Sequence, residues 1–240
     1  MKKNKYDFVV YTFIVSLVII TTFVGRAVLM INRNNLSKVN SDNYESTVTV
    51  IIDAGHGGED SGAVGINGVL EKDLNLMLSN EINSILNAQN IHVIMTRTDD
   101  KLLYKEEENI KGQRKLYDLK NRYLIASKIE NAIFVSIHMN KFPIEKYRGL
   151  QVYYSPNNLH SHELAQMIQS DIKAYLQNYN EREIKNSSDN IYILSRLNCP
   201  AILIECGFLS NAIDADNLTN KEYRKKMALI LSNSIIENIY

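Results

Sequence analysis

An α/β domain, a β-sheet carrying amphipathic helices on its faces, is the architecture expected from this chain, and three features point to it. Short apolar runs of strand length recur at Val50–Ile52, Ile91–Thr96 and Ala132–His138. Stretches with apolar residues at helical spacing separate them, and such alternation is the pattern of helices packed on a sheet. No internal repeat or low-complexity tract interrupts it, so no added repeat array is expected.

The elements follow in chain order. Met1 to Lys5 carries three lysines, and Phe8 to Gly25 then runs for 18 residues without a charge. As a helix this run would be about 27 Å long, close to the hydrocarbon thickness of a bilayer. The lysines before it favour a cytoplasmic N-terminus and an exported remainder. A cleaved signal peptide is the alternative, but "TTFVGRAVLM" offers no A-x-A site, so an uncleaved membrane anchor over residues 1–31 is preferred. Residues 32–46, "NRNNLSKVNSDNYES", are polar without apolar period and read as a linker. A single domain is expected over residues 47–240.

That domain opens with "VIIDAGHGGEDSGAVG", a short buried strand running into a glycine-rich loop that presents His56. A helix follows, with Leu70, Leu74, Met77, Leu78, Ile82, Ile85 and Leu86 on one side and Glu71 near its start. After the Ile91–Thr96 strand, Lys105–Lys115 is a mixed-charge stretch, read as a solvated loop or helix face. A helix over Leu116–Lys128 leads to the strand "AIFVSIH", ending at His138. Gly149 then leads into "LQVYYS", and Ser161 is placed as the cap of a helix carrying Leu164, Met167, Ile168, Ile172 and Tyr175. Two strands are expected at Ile191–Leu194 and Ala201–Ile204. Thr219 and Glu222 have capping-box spacing before a last helix with Tyr223, Met227, Ile230, Leu231 and Ser234 on one side.

Composition narrows the partners. Lys plus Arg equals Asp plus Glu at 27 each, so no basic field recruits nucleic acid. With 45% hydrophobic and 22% charged residues among 240, the chain can bury a core and is not disordered throughout. Cys199 and Cys206 are the only cysteines. A strand between them would hold their ends roughly 23 Å apart, so no disulfide is expected.

His56 follows the first strand, while His138 and Glu205 each end an apolar strand, and in open α/β sheets ligands bind outside the carboxyl ends of the strands. Glu71, at the start of the helix leaving the His56 loop, can turn back to the same edge. Two imidazoles and a carboxylate form a catalytic zinc set with its fourth position open. The second carboxylate is then free to act as a proton carrier.

Four blocks, "IDAGHGGEDSGAVG", "LEKD", "SIHMN" and "PAILIECGFLSN", occur in the order found in the type 3 zinc-dependent N-acetylmuramoyl-L-alanine amidases, which the chain resembles from Val48 to Tyr240. The resemblance implies a twisted, mostly parallel sheet flanked by helices. It also implies one zinc held by His56, Glu71 and His138, with Glu205 as general base and acid. The substrate would be peptidoglycan, cut between the lactyl group of N-acetylmuramic acid and L-alanine. A single catalytic domain behind a membrane segment, together with "RKLYDLKNR" at Arg114–Arg122, resembles the sporulation and germination branch. That branch strips peptide from muramic acid in spore cortex ahead of muramic δ-lactam formation. It places the enzyme on the extracytoplasmic side, the forespore intermembrane space included. No inhibitory helix is inserted between His138 and Glu205, so regulation by a partner protein is expected.

Other residues are read more plainly. His92 is an ordinary strand residue, and His160 and His162, despite their H-x-H spacing, are surface residues of a helix start. Cys206 has no base placed for thiol chemistry. Gly55, Gly57 and Gly58 do not form G-x-G-x-x-G, so no phosphate loop is expected. Asn140 and Asn211 fix loop backbones, with Asn140 kept as a candidate substrate contact. Arg196 could reach a peptide carboxylate through a bidentate pair. Competing readings are a binding or scaffold protein without turnover and a zinc peptidase cutting within the stem peptide.

Overall fold

A computed structural model describes residues 48–187 and 191–239. Its strands are β1 (Thr49–Ala54), β2 (His92–Met95), β3 (Ala132–Asn140), β4 (Gln151–Tyr154), β5 (Lys185–Asn186) and β6 (Ala201–Phe208). Its α-helices are α1 (Glu71–Ala88), α2 (Arg114–Ser127), α3 (Leu159–Tyr175), α4 (Ala212–Thr219) and α5 (Lys221–Ile239). The strands form one sheet in the order β2-β1-β3-β6-β4-β5. The first four run parallel, while β4 is antiparallel to β6 and parallel to β5. The expected mostly parallel sheet with flanking helices is therefore present.

Alternation along the strands divides the core into two layers. Val50, Ile52, Val135, Ile137, Ile202 and Ile204 face α1, α3 and α5, meeting Leu74, Leu78, Ile82, Ile168, Met227 and Leu231. Ile51, Phe134 and Ala201 face the other way, against Ala126 of α2 and the segment bearing Ile193, Leu194 and Leu197. Cys199 and Cys206 are free thiols.

Several local expectations are corrected. Ser161 does not cap α3; the Asn158 side chain accepts from His160 N, and buried Ser161 instead accepts from Ala201 N at 3.0 Å. Likewise Asn220 Oδ1, not Thr219, accepts from the first turn of α5 at Glu222 N and Tyr223 N, while Thr219 ends α4. Residues Ile191–Leu194 form turns closed by Ser195 N to Ile191 O and Leu197 N to Ile193 O, not a strand. Both edges of β6 are already taken, by β3 and β4, so the segment has no ladder to join beside it. The short β5 had no signal in the alternation, because two residues carry none.

The expected anchor (1–31), the whole linker (32–46) and Thr47, the first residue of the expected domain, lie outside the described residues. Among the described residues, no helix is long and apolar enough to cross a membrane. We expect deletion of Met1–Asn32 to release a soluble, folded domain. Fractionation of the full chain tests the anchor: a product shortened by about twenty-five residues and free of the membrane would overturn it.

Candidate metal centre

Three elements bring three donors together. His56 lies just past β1 in a left-handed conformation, φ 59°, which is uncommon for a residue with a side chain and signals local backbone strain. Glu71 is the first residue of α1, and His138 sits on β3 two positions before its end. Their ligating atoms all lie within 4.8 Å of one another. Both imidazoles point at one oxygen: His56 Nε2 is 3.2 Å, and His138 Nδ1 3.0 Å, from Glu71 Oε1.

Two glycines make this approach possible. A Cβ on Gly55 would lie 2.3 Å from His138 Cε1, and one on Gly62, whose φ is +62°, would lie 2.5 Å from Glu71 Oε2. The glycine richness of the loop is thus a packing requirement of the cluster itself.

Surrounding polar groups fix each donor. Asp60 Oδ2 pairs with His56 Nδ1 at 2.8 Å, leaving Nε2 turned to Glu71, and Lys115 holds the other Asp60 oxygen at 2.5 Å. Glu71 accepts from Ala63 N at 2.7 Å, Met139 N at 3.0 Å and Asn75 Nδ2 at 3.3 Å. Beneath the loop, buried Arg122 of α2 donates to Asp53 at 2.7 Å and to the carbonyls of Ala54 and His56 at 2.6 and 2.7 Å. Buried Arg97 donates to Ala54 O and Gly55 O at 2.8 and 3.0 Å. Asp60, Asn75, Arg97 and Arg122 were not singled out as site residues from sequence. Asp60 at four residues past His56, and Asn75 one helical turn past Glu71, were the available signals.

Electrostatics separates the two carboxylates. Burial would raise Glu71, but its contacts with His138 and His56 outweigh that and hold it well below the usual carboxylate range. Burial likewise opposes a proton on His56, yet Glu71 and Asp60 raise its pKa to about 9. Glu205 is paired in register with His138 across β3 and β6. Burial pushes it up to about 7, against the opposing pull of His138, and its Oε2 is buried without a hydrogen-bond partner among the described residues.

Two imidazoles and one ionised carboxylate converging from three directions fit zinc, whose catalytic sites use such a three-ligand set. Asp60 behind His56 supplies the outer carboxylate that such ligands commonly engage. Glu205 stands outside the trio, beside it.

The remaining sequence candidates are dispersed. Asn140 ends β3 and lines a cavity with Phe208 and Arg182. Asn211 caps α4, accepting from Ile213 N and Asp214 N. Arg196 is not brought to the trio: it stacks on Tyr192, 3.9 Å from the ring centroid, and lines a cavity with Asn131, Ala132 and Pro200 at the amino ends of β3 and β6. His160 and His162 are exposed on α3, and His92 opens β2.

A family model described as N-acetylmuramoyl-L-alanine amidase matches residues 50–237. The germination-specific N-acetylmuramoyl-L-alanine amidase of Bacillus subtilis is 34% identical over 187 residues, covering 78% of each chain. The uncharacterized protein YqiI of the same organism is 37% identical over 189 residues, 78% of this chain and 82% of that one. The CwlD amidase of Clostridioides difficile, solved in complex with the GerS lipoprotein, superimposes with a TM-score of 0.76 at 41% identity, over 79% of this chain and 97% of that chain. With the family match running from β1 into α5 and a solved amidase superimposing over most of the same residues, this chain belongs to the N-acetylmuramoyl-L-alanine amidase family.

Proposed function

We propose that this protein hydrolyses the amide between the lactyl carbonyl of N-acetylmuramic acid and L-alanine in peptidoglycan, using one zinc held by His56, Glu71 and His138 and a proton carried by Glu205. The observation carrying this is the convergence of the three donors within 4.8 Å, beside a buried carboxylate whose Oε2 has no hydrogen-bond partner among the described residues. Zinc bound by the trio would supply a Lewis acid that polarises the scissile carbonyl and acidifies water. Glu205 takes the proton from the attacking water and returns it to the departing L-alanine nitrogen. A pKa near 7 suits a group that must first accept and then donate at neutral pH. Asp60 orients His56, and Arg97 and Arg122 hold the loop carbonyls so that His56 keeps its position.

We place the reaction in spore cortex, as the step before muramic δ-lactam formation, on the extracytoplasmic face of a membrane reached through residues 8–25. Similarity to a germination-specific amidase supports the first assignment. A relative complexed with a lipoprotein supports a protein partner as regulator. Mass spectrometry of digested peptidoglycan tests the reaction. Free stem peptide beginning at L-alanine is expected; cleavage within the peptide would identify a peptidase, and binding without products a scaffold.

Purified protein from Thr47 onward is expected to bind about one zinc. The double variant His56→Ala/His138→Ala should bind none under the same loading, by metal analysis. Retention of zinc at the wild-type level would remove the assignment. Because His56 holds a proton up to about pH 9 in the metal-free cluster, zinc must displace it, and occupancy falls as pH falls.

A further inference from the structure

The amidase reading leaves one side of the sheet unexplained. Glu205 pairs in register with Gln151 of β4, and the next row on the same face runs from Leu203 through Tyr153 to Lys185 of β5. Beside that row lies a cavity of about 420 Å³ walled by Phe142, Tyr147 and Phe208 and containing Arg182 and Lys185. The Arg182 guanidinium stacks 4.8 Å from the centroid of Phe208 and donates to Gln151 Oε1, while Gln151 Nε2 donates to Glu183 O at 2.8 Å. The guanidinium is thus held over the sheet next to Glu205.

Its Nε is buried without a hydrogen-bond partner among the described residues. Among the described residues, no ion pair involves Arg182 or Lys185. Glu205 is an acid near Arg182, but it makes no ion pair with it among the described residues, and two cations in a polar cavity beside the proposed reaction centre suit an anionic ligand group. The substrate's chemistry then selects which half supplies it. In an N-acetylmuramoyl-L-alanine amide the muramoyl carboxyl is already consumed in the bond to be cut, so free carboxylates belong to the peptide half.

Resting on the amidase reading, we propose that Arg182 and Lys185 form the subsite for a carboxylate of the stem peptide, so that the peptide lies across β6, β4 and β5 and the muramoyl half lies toward α2. The planar guanidinium can engage a carboxylate in two parallel hydrogen bonds, whereas Lys185 contributes a point charge. Asn140, at the rim of the same cavity, falls on the path of the peptide.

The test uses full-length, zinc-loaded protein and two matched N-acetylmuramoyl-L-alanyl dipeptides, one with free carboxylates on its second residue and one with carboxamides. The measured quantity is the ratio of their kcat/KM values on one preparation, which does not depend on the fraction of folded enzyme. Wild type should favour the carboxylate form by about tenfold or more, through KM. Arg182→Gln should bring the ratio close to one, Arg182→Lys should restore part of it, and Lys185→Gln, on an exposed side chain, should lower it. A wild-type ratio near one, or a ratio unchanged in both Gln variants, would overturn the subsite while leaving the amidase reading intact. If wild type cleaves neither dipeptide nor intact peptidoglycan at the lactyl amide, both fall together.

Discussion

Glu205→Gln should retain zinc and lose roughly two to four orders of magnitude in turnover. The substitution keeps the side chain's shape but removes its ability to take a proton. Glu205 lies outside the cluster of three donors, so metal retention does not depend on its charge. Glu71→Gln should lose both metal and activity, because its carboxylate is the point at which both imidazoles converge and a neutral amide is the poorer ligand. Zinc stoichiometry measured beside release of peptide beginning at L-alanine distinguishes the two. Loss of zinc in Glu205→Gln with retention in Glu71→Gln would exchange their roles, and full activity in both would end the hydrolase mechanism.

Arg122→Ala should destabilise the domain by about 3–5 kcal/mol, the range for stranding one partner of a buried ion pair. Arg122 and Asp53 are each only 2% exposed, and Asp53 also accepts from Thr96 and Ser136. Without the guanidinium, Asp53 is left as a buried charge, the carbonyl of His56 loses its Arg122 donor, and that of Ala54 keeps only the bond from Arg97. The loop carrying His56 should loosen at the same time, so zinc affinity falls with stability. Urea denaturation with and without zinc measures both effects, and a loss below about 1 kcal/mol would show that Arg122 has only the weight of a surface pair. Burial would raise the pKa of Asp53, but Arg122 outweighs it and holds the carboxyl below its ordinary value. The folded state therefore gains stability from Asp53 above the unfolded aspartate pKa and loses it as pH falls through the depressed folded value. That acid-limb dependence should shrink in Arg122→Ala.

The alternation of Val50–Ile52, the α1 heptad-like stripe and "AIFVSIH" was enough to place the sheet and its main helices, because burial periodicity is written locally into the chain. It also placed His56 just past a strand, His138 and Glu205 on strands and Glu71 at a helix start, and with them the common edge on which they meet, although the strands run beyond His138 and Glu205 to Asn140 and Phe208. Capping was less legible: Asn158 and Asn220 act where Ser161 and Thr219 were equally plausible, since each can accept from a free helix N–H and only the path of the chain selects one. Ile191–Leu194 has the residues of a strand but no free sheet edge beside β6, and strand formation needs a partner that local sequence cannot supply. The same limit separated Arg196 from the site and brought Arg122, Arg97 and Arg182 to it. A side chain's residue type states what it can bind, but which carbonyl, carboxylate or cavity it reaches is fixed by contacts between residues distant in the chain, such as Arg122 with Asp53 and Arg182 with Phe208.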